Sequence, residues 1–156
     1  MSPLRICAPL IPRLLAAMML TTGVAEACLG GNAASVQADA AALGGEVRTS
    51  TLLGYDVQEI DVPGGLSVRE FVGRDGIVFG LGWSGPAPAD LPQLLGDYLA
   101  EFTAGAAAAA RPGLRRGVRI ELPDLVVEAG GHLRAYTGRA LLPALLLAGV
   151  APADIH

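Results

Sequence analysis

Hydrophobic and polar positions along this chain follow two rhythms. From Glu46 to Gly85, "EVRTSTLLGYDVQEIDVPGGLSVREFVGRDGIVFGLGWSG", apolar and polar residues alternate and glycine turns break the runs, which is the pattern of an antiparallel meander. A three-residue loop at Pro63-Gly64-Gly65 sets Val62 opposite Leu66, Ile60 opposite Val68, Val57 opposite Phe71 and Glu59 opposite Arg69. A two-residue loop would set Ile60 against Arg69, and such a slip moves every side chain to the wrong partner. The longer loop is therefore expected, with Glu59 and Arg69 as a structural cross-strand pair. The next turn, Arg74-Asp75-Gly76, contains Asp-Gly, a strong hairpin signal. The strand it leads into, Ile77 to Trp83, is apolar on both faces and reads as central. Gly80 and Gly82 then mark places where another backbone, or a ring such as Phe71, comes close.

The period then changes. In "GPAPADLPQLLGDYLAEFTAG", Leu91, Leu94, Leu95, Tyr98, Leu99 and Phe102 recur at helical spacing. Asp90 is placed to cap the helix, Pro92 is tolerated in its first turn, and Gly105 suits its exit. Asp97 and Glu101, one turn apart, read as a solvated face rather than a catalytic carboxylate pair. The joint "AGAAAAARPGLRRG" follows, with Pro112-Gly113 as a helix stop. A second strand pair is expected from Val118 to Val127 and from His132 onward, with Pro123 marking an edge or a bulge. A three-residue loop at Ala129-Gly130-Gly131 would set Val127 opposite Leu133, Leu125 opposite Ala135, Val126 opposite Arg134 and Glu128 opposite His132. Glu128 and His132 are thus expected as structural partners. The segment "LLPALLLAGVAPADIH", interrupted by Pro143 and Pro152, is expected to pack back on the core. The fold class these elements imply is α+β: an antiparallel sheet of five or six strands with one amphipathic helix on it.

The first 27 residues change the picture from fold to destination. Arg5 and Arg13 precede an apolar run from Leu14 to Val24, and Ala25-Glu26-Ala27 offers small residues at a cleavage site, the signature of a secretory signal peptide. The run is too short to span a bilayer, so no transmembrane segment is expected in the mature chain, residues 28–156, read as one small domain. Cleavage after Ala27 leaves Cys28 as the only cysteine, at the new amino terminus. No intramolecular disulfide is then possible, and lipidation of Cys28 is a minor alternative. The mature part carries 9 basic and 14 acidic residues, a formal charge of −5, because the signal holds Arg5 and Arg13 of the 11 and Glu26 of the 15. That balance argues against nucleic acid as a partner; the one basic cluster, Arg111, Arg115, Arg116 and Arg119, reads as a solvated face.

Candidate chemistry is sparse. There is no phosphate-cradling loop, no serine elbow and no histidine pair at helical spacing, and zinc sites need three or four protein ligands, so no metal or cofactor is expected. The stretch "EAGGHLRAYTGRA", 128–140, is the most site-like. On one strand His132, Arg134 and Tyr136 would share a face, with Arg139 on the other. They are candidate ligand-facing residues together with Trp83, which reads more readily as a core anchor.

The runs "SVREFVGRDGIVFGLGWSGP" (67–86) and "GGHLRAYTGRALLPALL" (130–146), with "SVQAD" (35–39) and "LLGDY" (94–98), resemble an uncharacterised group of predicted exported proteobacterial proteins, domain of unknown function 2844. The resemblance implies export in a Gram-negative bacterium and one small domain, and no activity. The chain departs from the group's pattern at Ala89, where proline is common, and at Cys28, where alanine is. The expectation is therefore a non-catalytic periplasmic or secreted accessory protein with an envelope protein or glycan as partner. The alternative is a small periplasmic enzyme using His132 as general base.

Overall fold

The computed structural model describes residues 29–52, 54–109 and 117–156. The signal segment, Cys28, Arg111, Arg115, Arg116 and the Pro112-Gly113 stop lie outside the described residues. Seven strands form one sheet: β1 (Glu46–Thr51), β2 (Tyr55–Val62), β3 (Leu66–Gly73), β4 (Val78–Gly85), β5 (Gly117–Glu121), β6 (Val126–His132) and β7 (Ala135–Leu141). Their order is β1-β2-β3-β4-β7-β6-β5, with every pair antiparallel. The α+β class holds, but the strand count is seven, not five or six. The extra strand comes from the Val118 to Val127 run, which turns on itself at Pro123-Asp124, where Leu122 N donates to Leu125 O at 2.8 Å. Proline has no amide to give a ladder, so the run splits there.

The first hairpin has the expected register, with Val62 opposite Leu66, Ile60 opposite Val68, Glu59 opposite Arg69 and Val57 opposite Phe71. A bulge between β3 and β4 sets Phe71 against Gly80 but Val72 against Val78, which leaves Phe79 without a direct partner. The β4 strand is central, between β3 and β7. The second hairpin overturns its expectation. Ala129, Gly130 and Gly131 lie within β6, the turn is Leu133-Arg134, and Glu128 stands opposite Arg139 while His132 stands opposite Ala135. Arg134 occupies the left-handed region at φ 68°, a place glycine fills more cheaply.

Two helical layers cover one face. Helix α1 (Ser35–Leu43) is an element that the hydrophobic periodicity does not announce. Asn32 Oδ1 accepts from Ala34 N and Ser35 N at 2.9 and 3.1 Å, and Gly44, at φ 65°, closes the helix. The predicted amphipathic helix is present as α2 (Leu91–Leu95), a 3-10 turn at Gly96–Tyr98, and α3 (Leu99–Ala109). Asp90 caps it, accepting from Gln93 N at 3.4 Å. Gly105 is not its exit, because α3 runs on to Ala109. A Cβ at 105 would lie 2.7 Å from Ile120 Cγ2, so this glycine lets the helix approach β5. Between helices and sheet lies the larger core, with Val36, Ile60, Val68, Leu81, Trp83, Leu95, Val127 and Ala140 all buried.

The other face is covered by a strap, residues 142–156, as the sequence predicts. Ile155 is wholly buried with Phe71, Phe79 and Leu141, and Leu146, Leu147 and Val150 pack on them. Tyr55, Phe71 and Phe79 form a ring cluster with centroids 5.8 to 6.3 Å apart.

Candidate functional site

Side chains alternate between the faces of a sheet, so registered residues on adjacent strands form transverse rows. One row on the strap face reads Arg48, Glu59, Arg69, Gly82, Arg139, Glu128, Arg119 from one edge of the sheet to the other. Charges of alternating sign flank a glycine at the centre. On one side Arg69 Nε lies 3.3 Å from Glu59 Oε1, which also accepts from Ser67 Oγ at 3.2 Å. On the other side Arg139 grips Glu128 Oε2 through Nε at 2.9 Å and Nη2 at 2.7 Å, and Arg119 pairs with the second oxygen of the same carboxylate. Arg119 also reaches Glu121 at 3.3 Å. Arg48 bridges diagonally to Asp61 at 2.8 Å rather than to Glu59.

Gly82 is bare because the strap crosses it. A Cβ at 82 would stand 2.6 Å from the His156 carbonyl carbon, and one at 80 would stand 2.7 Å from Ile155 Cδ1. The expected approach of a backbone holds at Gly82, where His156 supplies it; at Gly80 the close neighbour is the aliphatic side chain of Ile155, neither a backbone nor a ring. Arg69 Nη1 donates to His156 O at 2.8 Å and Arg139 Nη1 to Pro152 O at 2.7 Å. Each of the two central arginines thus holds a carboxylate with part of its guanidinium and the strap's main chain with the rest, which suits its fixed fork of donors. Beside the strap, a groove of about 540 Å³ runs over β5, β6 and β7; Arg119, Glu128, Gly130, Thr137, Arg139 and His156 are among its lining residues.

The residues singled out in the sequence are not brought together as expected. His132 is exposed at the end of β6, its Nδ1 3.3 Å from Leu133 O, and it does not line the groove. Arg134 lies in the turn, and Tyr136, opposite Gly131, belongs to the strand after it, so the three share no strand and no common face. The enzyme alternative required His132 to open into a pocket beside a second titratable group; among the described residues, His132 is exposed and is not part of the groove's lining. Glu128 is partnered by Arg139 and Arg119, not by His132. Trp83, 4% exposed, is a core residue whose ring lies against Gly138. Asp97 and Glu101 are both exposed. The Glu59 and Arg69 pair stands as expected.

Residues missed by the sequence reading include Arg139, placed on the face away from the candidates, and Arg119, assigned to a solvated cluster. Pairing Glu128 with Arg139 follows at once if the turn is set at Leu133-Arg134, so the signal was present but outweighed by the adjacent glycines. Glu70 was also missed: it is wholly buried on the helix face of β3, where a carboxylate is held only by partnering. Among the described residues no group of three or more His, Cys, Asp or Glu side chains could hold a metal ion, and no helix is long and apolar enough to cross a membrane.

Neither a curated protein nor a solved structure matches the chain. Residues 25–155, however, match the sequence profile of a family described as protein of unknown function, DUF2844. Because that match spans nearly all of the sheet, both helical layers and the strap, the chain belongs to the DUF2844 family.

Proposed function

We propose that this is an exported protein of the bacterial envelope that binds a partner rather than converting one, using the strap face of its sheet. The observation that carries this reading is the state of the charged row. Glu59, Glu128, Arg69, Arg119 and Arg139 are all engaged with one another or with the strap, an arrangement that shapes a surface instead of poising an acid and a base, which catalysis asks to be held apart in role. The groove beside the strap is open and of a size that takes an extended ligand. Export is supported by the sequence: two arginines, a short apolar run and a small-residue cleavage site precede Cys28. The family match begins at residue 25, next to that site. The partner is an envelope protein or glycan, and residues 28–156 act as one domain.

The test is affinity capture from a bacterial envelope extract with immobilised chain lacking residues 1–27, beside a Thr137→Trp variant that fills the groove. A protein or glycan retained by the native surface and lost with Thr137→Trp is the expected result. Retention of nothing, or equal retention by both, overturns the reading.

A further inference from the structure

The strap is bound to the sheet in the way a separate peptide would be. One aliphatic side chain, Ile155, fills a closed pocket among Phe71, Phe79 and Leu141 over Gly80. Two arginines, from strands on either side of β4, hold main-chain carbonyls four residues apart, Pro152 O and His156 O. Main-chain recognition of this kind is indifferent to the bound sequence, while one side-chain pocket supplies selectivity. Past Leu142, whose N donates to Phe79 O at 2.9 Å, the strap joins no ladder. From Leu145 onward its backbone bonds run within itself: Leu145 to Leu142, Leu146 to Pro143, Val150 to Leu147, Asp154 to Ala151 and Ile155 to Pro152. It can therefore lift without breaking any strand pairing, which is the kind of segment that opens locally below the global unfolding free energy. The groove over β5–β7 continues from Ile155 and His156, so a longer bound segment would run on into it.

We propose that the strap face is a cleft for an extended polypeptide segment with an aliphatic anchor, seated on Gly80 and Gly82 between Arg69 and Arg139, and that the chain's own residues 151–156 close it in cis. This rests on the reading of the protein as a binder and names the partner's class: a peptide segment rather than a glycan. The probe is a fluorescein-labelled peptide of residues 148–156 with capped ends, titrated by fluorescence anisotropy against the chain and against Ile155→Asp, which evicts the anchor. Saturable binding to Ile155→Asp is expected. It should be at least tenfold weaker to the unaltered chain, where the strap competes, and lost when Gly82→Val is added to fill the saddle. No binding to Ile155→Asp that keeps its far-UV circular dichroism and Trp83 fluorescence overturns the proposal.

Hydrogen exchange on the unaltered chain decides the matter if Ile155→Asp does not fold. Amides of 145–155 should exchange at least a hundredfold faster than those of β3 and β4, and equal protection overturns a detachable strap. The envelope capture above separates the two claims. Peptide binding without capture removes the envelope partner and keeps the cleft, whereas capture without peptide binding removes the cleft and keeps the binder.

Discussion

The two faces of the sheet are closed by different means. Under the helices, Ile60 is wholly buried opposite Val68, in one cluster with Leu81 and Leu95, and Gly45 comes so near that a Cβ there would stand 2.7 Å from Ile60 Cγ2. Under the strap, Ile155 is equally buried, but by Phe71, Phe79, Leu141 and the glycines of the sheet and by its own short segment. One face is a core in which each element is packed from several directions. The other is a seat with one wholly buried anchor, Ile155, flanked by the partly buried Leu146, Leu147 and Val150, and with two polar clasps. Equal burial need not mean equal contribution, because a residue stabilises the whole fold only as far as its segment unfolds together with the rest.

Six substitutions, in four experiments, sharpen or break that contrast. The largest effect should come from Trp83→Ala on the helix face, about 3–5 kcal/mol, the usual cost of emptying a large aromatic site. Urea unfolding should be followed by circular dichroism, since this is the chain's only tryptophan. Next, Ile60→Ala should cost about 2–5 kcal/mol, and Ile155→Ala roughly half of that or less, because the strap yields locally. Equal losses in the same unfolding experiment would make the strap an integral part of the core and end the contrast. Third, a double-mutant cycle of Glu128→Gln with Arg139→Gln should give a coupling of about 1 kcal/mol, the pair being two-pronged and three-quarters buried. The smallest effect belongs to Glu59→Gln, about 0.2–1 kcal/mol, as that single-pronged pair is about a third exposed and screened by solvent. A loss at Glu59 larger than at Glu128 would reverse the ranking of the two halves of the charged row.

The two hairpins show how far such structure can be read in advance. In β2–β3 the alternation on both strands and the Pro63-Gly64-Gly65 loop point to one register, and that register forms. In β6–β7 the glycine pair marks a turn by local preference, yet the chain turns three residues later, at Leu133-Arg134, with Leu133 82% exposed. A left-handed arginine costs about 1–2 kcal/mol. The observed register repays it by setting Val127 against Ala140 and Val126 against Leu141, all buried or partly buried, and by bringing Gly138 under Trp83. Those gains come from β4 and the strap, remote in sequence, so no window around residue 130 could reveal them. Helix α1 escaped for the opposite reason: "SVQADAAAL" lacks a strong apolar stripe, and its start and stop, Asn32 and Gly44, were the legible signals.

What the sequence by itself determined are the local choices: period-2 strands from Glu46 to Gly85, a capped helix after Asp90, the first hairpin's register and the return of the apolar segment 142–156 to the sheet. These follow from periodicity and turn chemistry within a few residues. Only the tertiary structure decided that β5–β7 pair back onto β4, that Glu128 meets Arg139 and Arg119 instead of His132, and that Gly80 and Gly82 become the bed for Ile155 and His156. Each of these depends on which distant surfaces bury one another, a sum of many weak contacts large enough to override a single turn preference.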